Sequence, residues 1–309
     1  MRVILLGTAA GGGFPQWNCS CPCCSAARDD PESAQPRTQS SAAISADGVY
    51  WFLLNASPDV REQLTRLPVP RPAEGETGSA GPRAVPVEGV VVTDPEIDHS
   101  LGIVLLREGR HLALYATPAT QSVLENDSHF LPVTRAFADV PVTNLSLTGA
   151  VALQNRDGRA SGLSVEAFAV PAGAPRFASA PGEGHTVGLM IEEQATGRRC
   201  AFVPGCGGLD PSLLERLSAA DILLFDGTFW TNREMIDLGI GDRTALDMDH
   251  LPLGEPGGSL EQLSTLPCQH KVFTHINNTN PMLLERSPER AAVNQAGITV
   301  GYDGLQIAV

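Results

Sequence analysis

The sequence predicts an α/β protein whose strand ends meet in one crevice. Two observations carry this. Short apolar runs of strand length are mixed with helix-length patterns along the chain. Polar side chains, several of them able to bind metal, follow directly on runs ending at Leu54, Thr93, Phe225 and Thr274. One such strand end could be chance, whereas four argue for a common crevice. The 42% hydrophobic content supplies an ample core, and the chain is read as one domain over residues 1–309.

Composition excludes some partners. A net charge of −14, from 35 acidic and 21 basic residues with no basic stripe, argues against nucleic acid or an anionic membrane surface. The first residues read as a strand and not a signal peptide, and no run is long enough to span a bilayer, so a cytoplasmic protein is expected. Of the seven cysteines, four crowd between Cys19 and Cys24, which in such a chain favours metal over a disulfide framework.

Residues 1–7 form the first strand. The glycines Gly11, Gly12 and Gly13 then let the backbone turn sharply at the lip of a site. A phosphate loop is the weaker reading, since neither a Walker lysine nor the G-x-G-x-x-G spacing is present. Cys19, Cys21 and Cys24 make C-x-C-x-x-C, a spacing that can wrap one Zn²⁺; a closed tetrahedral site needs a fourth donor from far along the chain. Free buried or redox-active thiols are the alternative. Cys23 is out of step with the other three.

Residues 40–54 read as two strands around Ala46-Asp47-Gly48, and Ser57 and Pro58 start a helix over 59–67. The Pro/Gly-rich stretch 68–84 has no periodicity and reads as an exposed loop. The next strand delivers Asp94, Glu96, Asp98 and His99 into the turn before a helix over 100–107. A plain helix N-terminus, where acids are favoured, is the competing reading. Strands follow at 112–116 and 163–170, with a helix at 119–125 between them. His185 stands at the mouth of a hairpin formed by 189–192 and 200–205, as a ligand, a substrate contact or a plain loop residue. Asp210 and Pro211 cap a helix over 213–218, and the strand 221–225 runs into Asp226. His250 lies in a loop before a helix over 259–266, the strand 271–274 delivers His275, Ser287 and Pro288 start a last helix, and residues 298–309 close the chain as a hairpin-like pair of strands.

The succession of Asn55, residues 94–99, Asp226 and His275 resembles the metallo-β-lactamase superfamily, which implies an αββα sandwich with metal at the strand ends. Against that superfamily's H-x-H-x-D-H motif, Asp94 and Glu96 replace the two leading histidines while Asp98 and His99 are retained. The resemblance sets Asn55 at the first-motif Asp, Asp226 at the metal-bridging Asp and His275 at the last histidine. It sets His250 in the region where related phosphodiesterases carry a proton-transfer histidine. More narrowly, residues 11–19, 37–41, 54–59, 97–99 and 275–281 resemble the pyrroloquinoline quinone biosynthesis protein B family, nearly end to end.

That resemblance implies a cytoplasmic protein in the pathway that turns a Glu and a Tyr of a precursor peptide into a redox cofactor. The implied activity is O₂-dependent hydroxylation of the tyrosine ring with non-haem iron. A homodimer is expected, with a small peptide-derived or dipeptide substrate and O₂ as partners. Asp98, His99 and Asp226 are the expected core ligands, Asp94 and Glu96 adaptable ones, and His250 joins Asp98, His99 and Asp226 as catalytic. Fewer imidazoles and more oxygen ligands suit one Fe²⁺, with Mn²⁺ or Zn²⁺ as substitutes. Close relatives with an extra structural zinc place a histidine where this chain has Asn278, so His275 is expected to complete the set of Cys19, Cys21 and Cys24, while His270 begins the same strand at its opposite end. Two rival functions stand beside this one: a metal-dependent hydrolase, supported by His250, and a non-enzymatic carrier of the finished cofactor to the periplasm.

Overall fold

Two seven-stranded sheets stack face to face with helices on both outer sides. The computed structural model describes residues 1–66, 87–180 and 182–309; the loop read over 68–84 lies outside them. The chain first lays down β1 (Arg2–Gly7), β2 (Ser41–Ser45), β3 (Trp51–Leu54), β4 (Val87–Val91), β5 (Ala113–Ala116) and β6 (Val142–Asn144). It then crosses to β7 (Ala150–Gln154), β8 (Ala160–Ala169), β9 (Val187–Glu193), β10 (Arg199–Val203), β11 (Ile222–Asp226), β12 (His270–Thr274) and β13 (Thr299–Val300). The last strand, β14 (Gln306–Ala308), returns to the first sheet. The strand orders are β14-β1-β2-β3-β4-β5-β6 and β13-β12-β11-β10-β9-β8-β7.

The apolar runs are nearly continuous because both faces of each sheet are covered. In β1, Val3 and Leu5 enter the core between the sheets, while Ile4 and Leu6 pack outward with Val60, Ile103 and Leu124. In β11 the same alternation sends Ile222 and Leu224 between the sheets, and Leu223 and Phe225 outward toward Leu213, Leu217 and Val293. Burying one such side chain stabilises the fold by about 1.5–3 kcal/mol. The result is an αββα sandwich.

The strands that matter for function are parallel neighbours, β3 beside β4 in one sheet and β11 beside β12 in the other. Parallel pairs bring their carboxyl ends to one edge, and four strand-end loops meet there. The final strands differ from a hairpin: β13 extends the second sheet beside β12, while β14 pairs antiparallel with β1 in the first. The turn between them is held by Asp303, whose carboxylate accepts from Thr8 Oγ1 at 2.8 Å and from Thr38 N at 2.6 Å. Those bonds carry the chain from one sheet to the other, which a hairpin pattern in the sequence does not reveal.

Candidate metal centres and active site

On the first-sheet side, a chain of hydrogen bonds runs from Asn55 to His99. Asn55 has a left-handed backbone (φ 61°), tolerable for an asparagine, and its side chain brackets Thr93, donating to Oγ1 at 2.9 Å and accepting from Thr93 N at 2.9 Å. Thr93 Oγ1 donates to Asp94 Oδ2 at 2.7 Å, and the two Asp94 oxygens lie 2.8 and 2.7 Å from His99 Nδ1. The short helix Ile97–Ser100 that carries Asp98 and His99 is pinned to the loop after β3, since Ala56 N donates to His99 O at 2.8 Å and Gly102 N to Ala56 O at 2.9 Å. A Cβ on Gly102 would meet Ser57 O at 2.3 Å, so only glycine permits this approach.

On the second-sheet side, Asp226 ends β11 and is fully engaged. Its Oδ1 accepts from Thr228 N at 2.9 Å and Thr228 Oγ1 at 2.6 Å; its Oδ2 accepts from Cys206 N at 2.9 Å and lies 2.6 Å from His250 Nδ1. His275 follows β12 with φ 55°, which turns its ring out of the strand direction into the crevice. Its Nδ1 is 2.8 Å from Thr228 Oγ1 and its Nε2 is 3.2 Å from Asp98 Oδ2. The His275 ring stacks on His250 with centroids 5.4 Å apart and meets His99 edge-on at 5.0 Å.

These contacts fix where lone pairs point. With Asp94 accepting from His99 Nδ1, the His99 Nε2 is left facing the crevice; it is buried, has no hydrogen-bond partner, and stands 3.8 Å from Asp98 Oδ2. With Thr228 spending its one proton on Asp226, His275 donates from Nδ1 and faces Asp98 with its Nε2 lone pair. Two imidazole nitrogens and a carboxylate oxygen thus converge, the arrangement a cation resolves. Asp98, His99 and His275 form one such donor group, and Asp226, His250 and His275 a second that shares His275.

The electrostatics agree with the geometry. For Asp98, burial disfavours the charged carboxylate, but His99 and then His275 outweigh it and hold its pKa below the ordinary carboxylate range. Burial also opposes charge on His99, yet Asp94 and Asp98 push it up to about 9, so a metal entering here displaces a proton. Burial depresses His275, and His99 adds to the depression. Glu96 is pushed up to about 7 by burial and then by Asp94 and Asp98. The groups surround a cleft of about 370 Å³ whose lining includes Gly11, Glu96, Arg176, Phe229, Met248 and Asp249.

The structure brings together Asp98, His99, Asp226 and His250 and corrects three of the sequence-based assignments. Asp94 is spent behind His99, so it orients a ligand instead of joining the donors. Glu96 lines the cleft outside both donor groups. His275 belongs to the crevice and not to the cysteine group, because its left-handed backbone turns the ring toward Asp98 before the chain reaches the cysteines. The backbone then pairs beside the first loop, Ile276 N donating to Thr8 O at 2.8 Å and Ala10 N to Ile276 O at 2.9 Å. That pairing delivers Asn278, whose Nδ2 lies 3.2 Å from Cys19 Sγ and 3.3 Å from Cys24 Sγ.

Cys19, Cys21 and Cys24 form a three-sulfur group, while Cys23 lies outside it, its thiol also reaching Thr279 O and Asn280 O. Three sulfurs so close suit a soft ion such as Zn²⁺. The Cys21 thiol is pulled down to about 5, first by its hydrogen bond with Cys23, whereas burial pushes Cys24 up to about 11. His185 points its Nε2 at Ala180 O, 3.1 Å away, and joins neither donor group. Thr228 and Arg176 were not legible as site residues: a threonine two positions after a strand-end aspartate and a lone arginine in a long connection carry no motif.

A family model described as the beta-lactamase superfamily domain matches residues 50–276. The coenzyme PQQ synthesis protein B of Methylobacterium radiotolerans is 42% identical, over 100% of this chain and 100% of its own length. Its counterpart in Gluconobacter oxydans is 43% identical, over 98% of this chain and 97% of its own length. A crystal structure of Zn²⁺-bound PqqB from Methylobacterium extorquens, 39% identical, superimposes with a TM-score of 0.88 over 100% of both chains.

Proposed function

The chain belongs to the coenzyme PQQ synthesis protein B family, within the β-lactamase superfamily, and we propose that it serves the making of that coenzyme as an iron- and O₂-dependent hydroxylase of a tyrosine ring in a Glu- and Tyr-derived intermediate. The observation that carries this reading is the donor set of Asp98, His99 and His275. Two imidazoles and one carboxylate with open positions are what non-haem Fe²⁺ oxygenases use. Bound there, the iron would supply the redox chemistry toward O₂ that no side chain offers. The buried, partnerless His99 Nε2 is the feature of this chain that fits such an ion.

The chain's own residues do the rest. Asp94 and Thr228 hold the two imidazoles in one tautomer and one orientation. Phe229 and Met248 give the cleft apolar surface on which an aromatic ring can lie. His250, held by Asp226 through Nδ1, keeps Nε2 available to take the phenolic proton. Ring hydroxylation consumes O₂, two electrons and two protons; one oxygen enters the ring and the other leaves as water, so an external reductant is required.

A hydrolase is the second reading, favoured by the second donor group of Asp226, His250 and His275 beside the first. The experiment that separates them supplies Fe²⁺-loaded protein with a reductant, a glutamyl-tyrosine peptide and ¹⁸O₂. Hydroxylation puts the label in the tyrosine ring. Label entering only from H₂¹⁸O, with a bond cleaved, would replace this reading by hydrolysis.

A further inference from the structure

The cleft carries a cation that none of the chemistry above uses. Arg176 lies in the connection between β8 and β9, is exposed, and lines the cleft with Glu96, Asp98 and His275. Its backbone is anchored on both sides: Gly207 N donates to Pro171 O at 2.6 Å, Gly173 N to Asp249 Oδ2 at 2.9 Å, Thr186 Oγ1 to Gly173 O at 3.0 Å, and Ser179 N to Asp127 Oδ2 at 3.1 Å. The arginine is therefore presented by a tied segment.

Its isolation is informative. Several other arginines pair with carboxylates, Arg135 with Glu125 at 2.6 Å and Arg216 with Glu166 at 2.7 Å, for example. Arg176 makes no ion pair or hydrogen bond among the described residues, although Asp94, Glu96, Asp98 and Asp249 share its cleft and its charge acts on the Glu96 carboxyl, favouring the charged form. Asp94 is taken by His99 and Asp249 by Gly173. A cleft with that many acids, in a chain of net charge −14, repels anions unless something receives them. A guanidinium fork matches a carboxylate with two parallel hydrogen bonds.

Resting on the hydroxylase reading, we propose that Arg176 binds a carboxylate of the substrate, so that the cleft selects an aromatic ring joined to a carboxylate chain. At about 370 Å³ the cleft has room for a ligand of roughly dipeptide size. Arg176 is a specificity residue here, acting on the substrate's anchor and not on its ring.

The test is calorimetric binding to the full chain loaded with Zn²⁺, which cannot support the O₂ chemistry, using glutamyl-tyrosine and its carboxylate-free counterpart glutaminyl-tyrosinamide. The expected result is about tenfold tighter binding of the acid to the unaltered protein, the scale of one hydrogen-bonded charge pair. Arg176→Gln should remove that preference while leaving affinity for the amide unchanged, and Arg176→Lys should restore part of it. Equal weakening of both ligands by Arg176→Gln, no preference in the unaltered protein, or binding of neither peptide would overturn the proposal. Because binding to the zinc form needs neither O₂ nor a reductant, failure here leaves the ¹⁸O₂ outcome independent.

Discussion

The cysteine group and the crevice group lie on either side of the segment after β12, and they are built in opposite ways. Cys19, Cys21 and Cys24 come from one short loop and the start of the helix Pro22–Asp29, where Cys21 is the N-cap, so local backbone alone brings them together. The crevice joins Asp98 to His275 across 177 positions and exists only when the two sheets are stacked. Four residues of one segment serve both, His275 turning into the crevice and Asn278 reaching the sulfurs. The lesson is that a soft, local site can be occupied before the fold is complete, whereas the mixed nitrogen–oxygen site reports on the fold itself.

Four expectations would break or sharpen this contrast. The largest effect belongs to the crevice ligands. Truncating His275 or His99 to Ala should weaken crevice metal by more than about 100-fold, beyond what losing an orienting partner costs, and leave zinc at the cysteines. Metal analysis of the purified variants checks it. Zinc lost from the cysteines in folded His275→Ala protein would make the two sites one.

Next, Cys21→Ser should empty the cysteine group and lower Tm by roughly 5–10 °C, the consequence of losing about 3 kcal/mol in a large domain, with crevice metal retained. Thermal melts beside metal analysis measure both halves. A smaller step is Asp94→Ala, which leaves every donor in place but frees the His99 ring. Crevice affinity should drop about 10–100-fold, and a metal titration showing no drop would mean that Asp94 does not orient His99.

The smallest effect concerns Glu234, which ties the two regions by accepting from Trp230 N at 2.7 Å and from Thr279 Oγ1 at 2.5 Å. Burial pushes its carboxyl up to about 7 from an ordinary 4.5. A raised folded-state value means the protonated form is favoured by folding, so this contribution is complete below about pH 4.5 and is lost as pH rises through about 7. Denaturant melts of Glu234→Gln against the unaltered protein, run across that window, should show the difference in slope; parallel pH profiles would remove Glu234 from the account.

Much of the architecture was legible from residues. The strand-end positions of Asn55, Asp94, Asp226 and His275, the caps of Asp210 and Ser287 on their helices, and the neighbourhood of Cys19, Cys21 and Cys24 all follow from patterns a few residues long. Such patterns act through covalent connection, so the sequence contains them whole. The resemblance to a known family then supplied the αββα arrangement that no local pattern states.

The assignment of individual ligands was another matter. Whether Asp94 faces a metal or backs His99 depends on Thr93 and Asn55 from the neighbouring strand, and whether Arg176 stands in the cleft depends on bonds from Asp249, Gly207 and Asp127. His275 is the sharpest case: one left-handed φ, set as Ile276 pairs with Thr8 and Ala10, decides between sulfur and carboxylate neighbours. Sequence determined which chemistries this chain carries and on which strand ends they ride. Only the stacking of the sheets decided which of them meet, because side-chain direction at a strand end is set by partners that are distant in the chain and adjacent only in space.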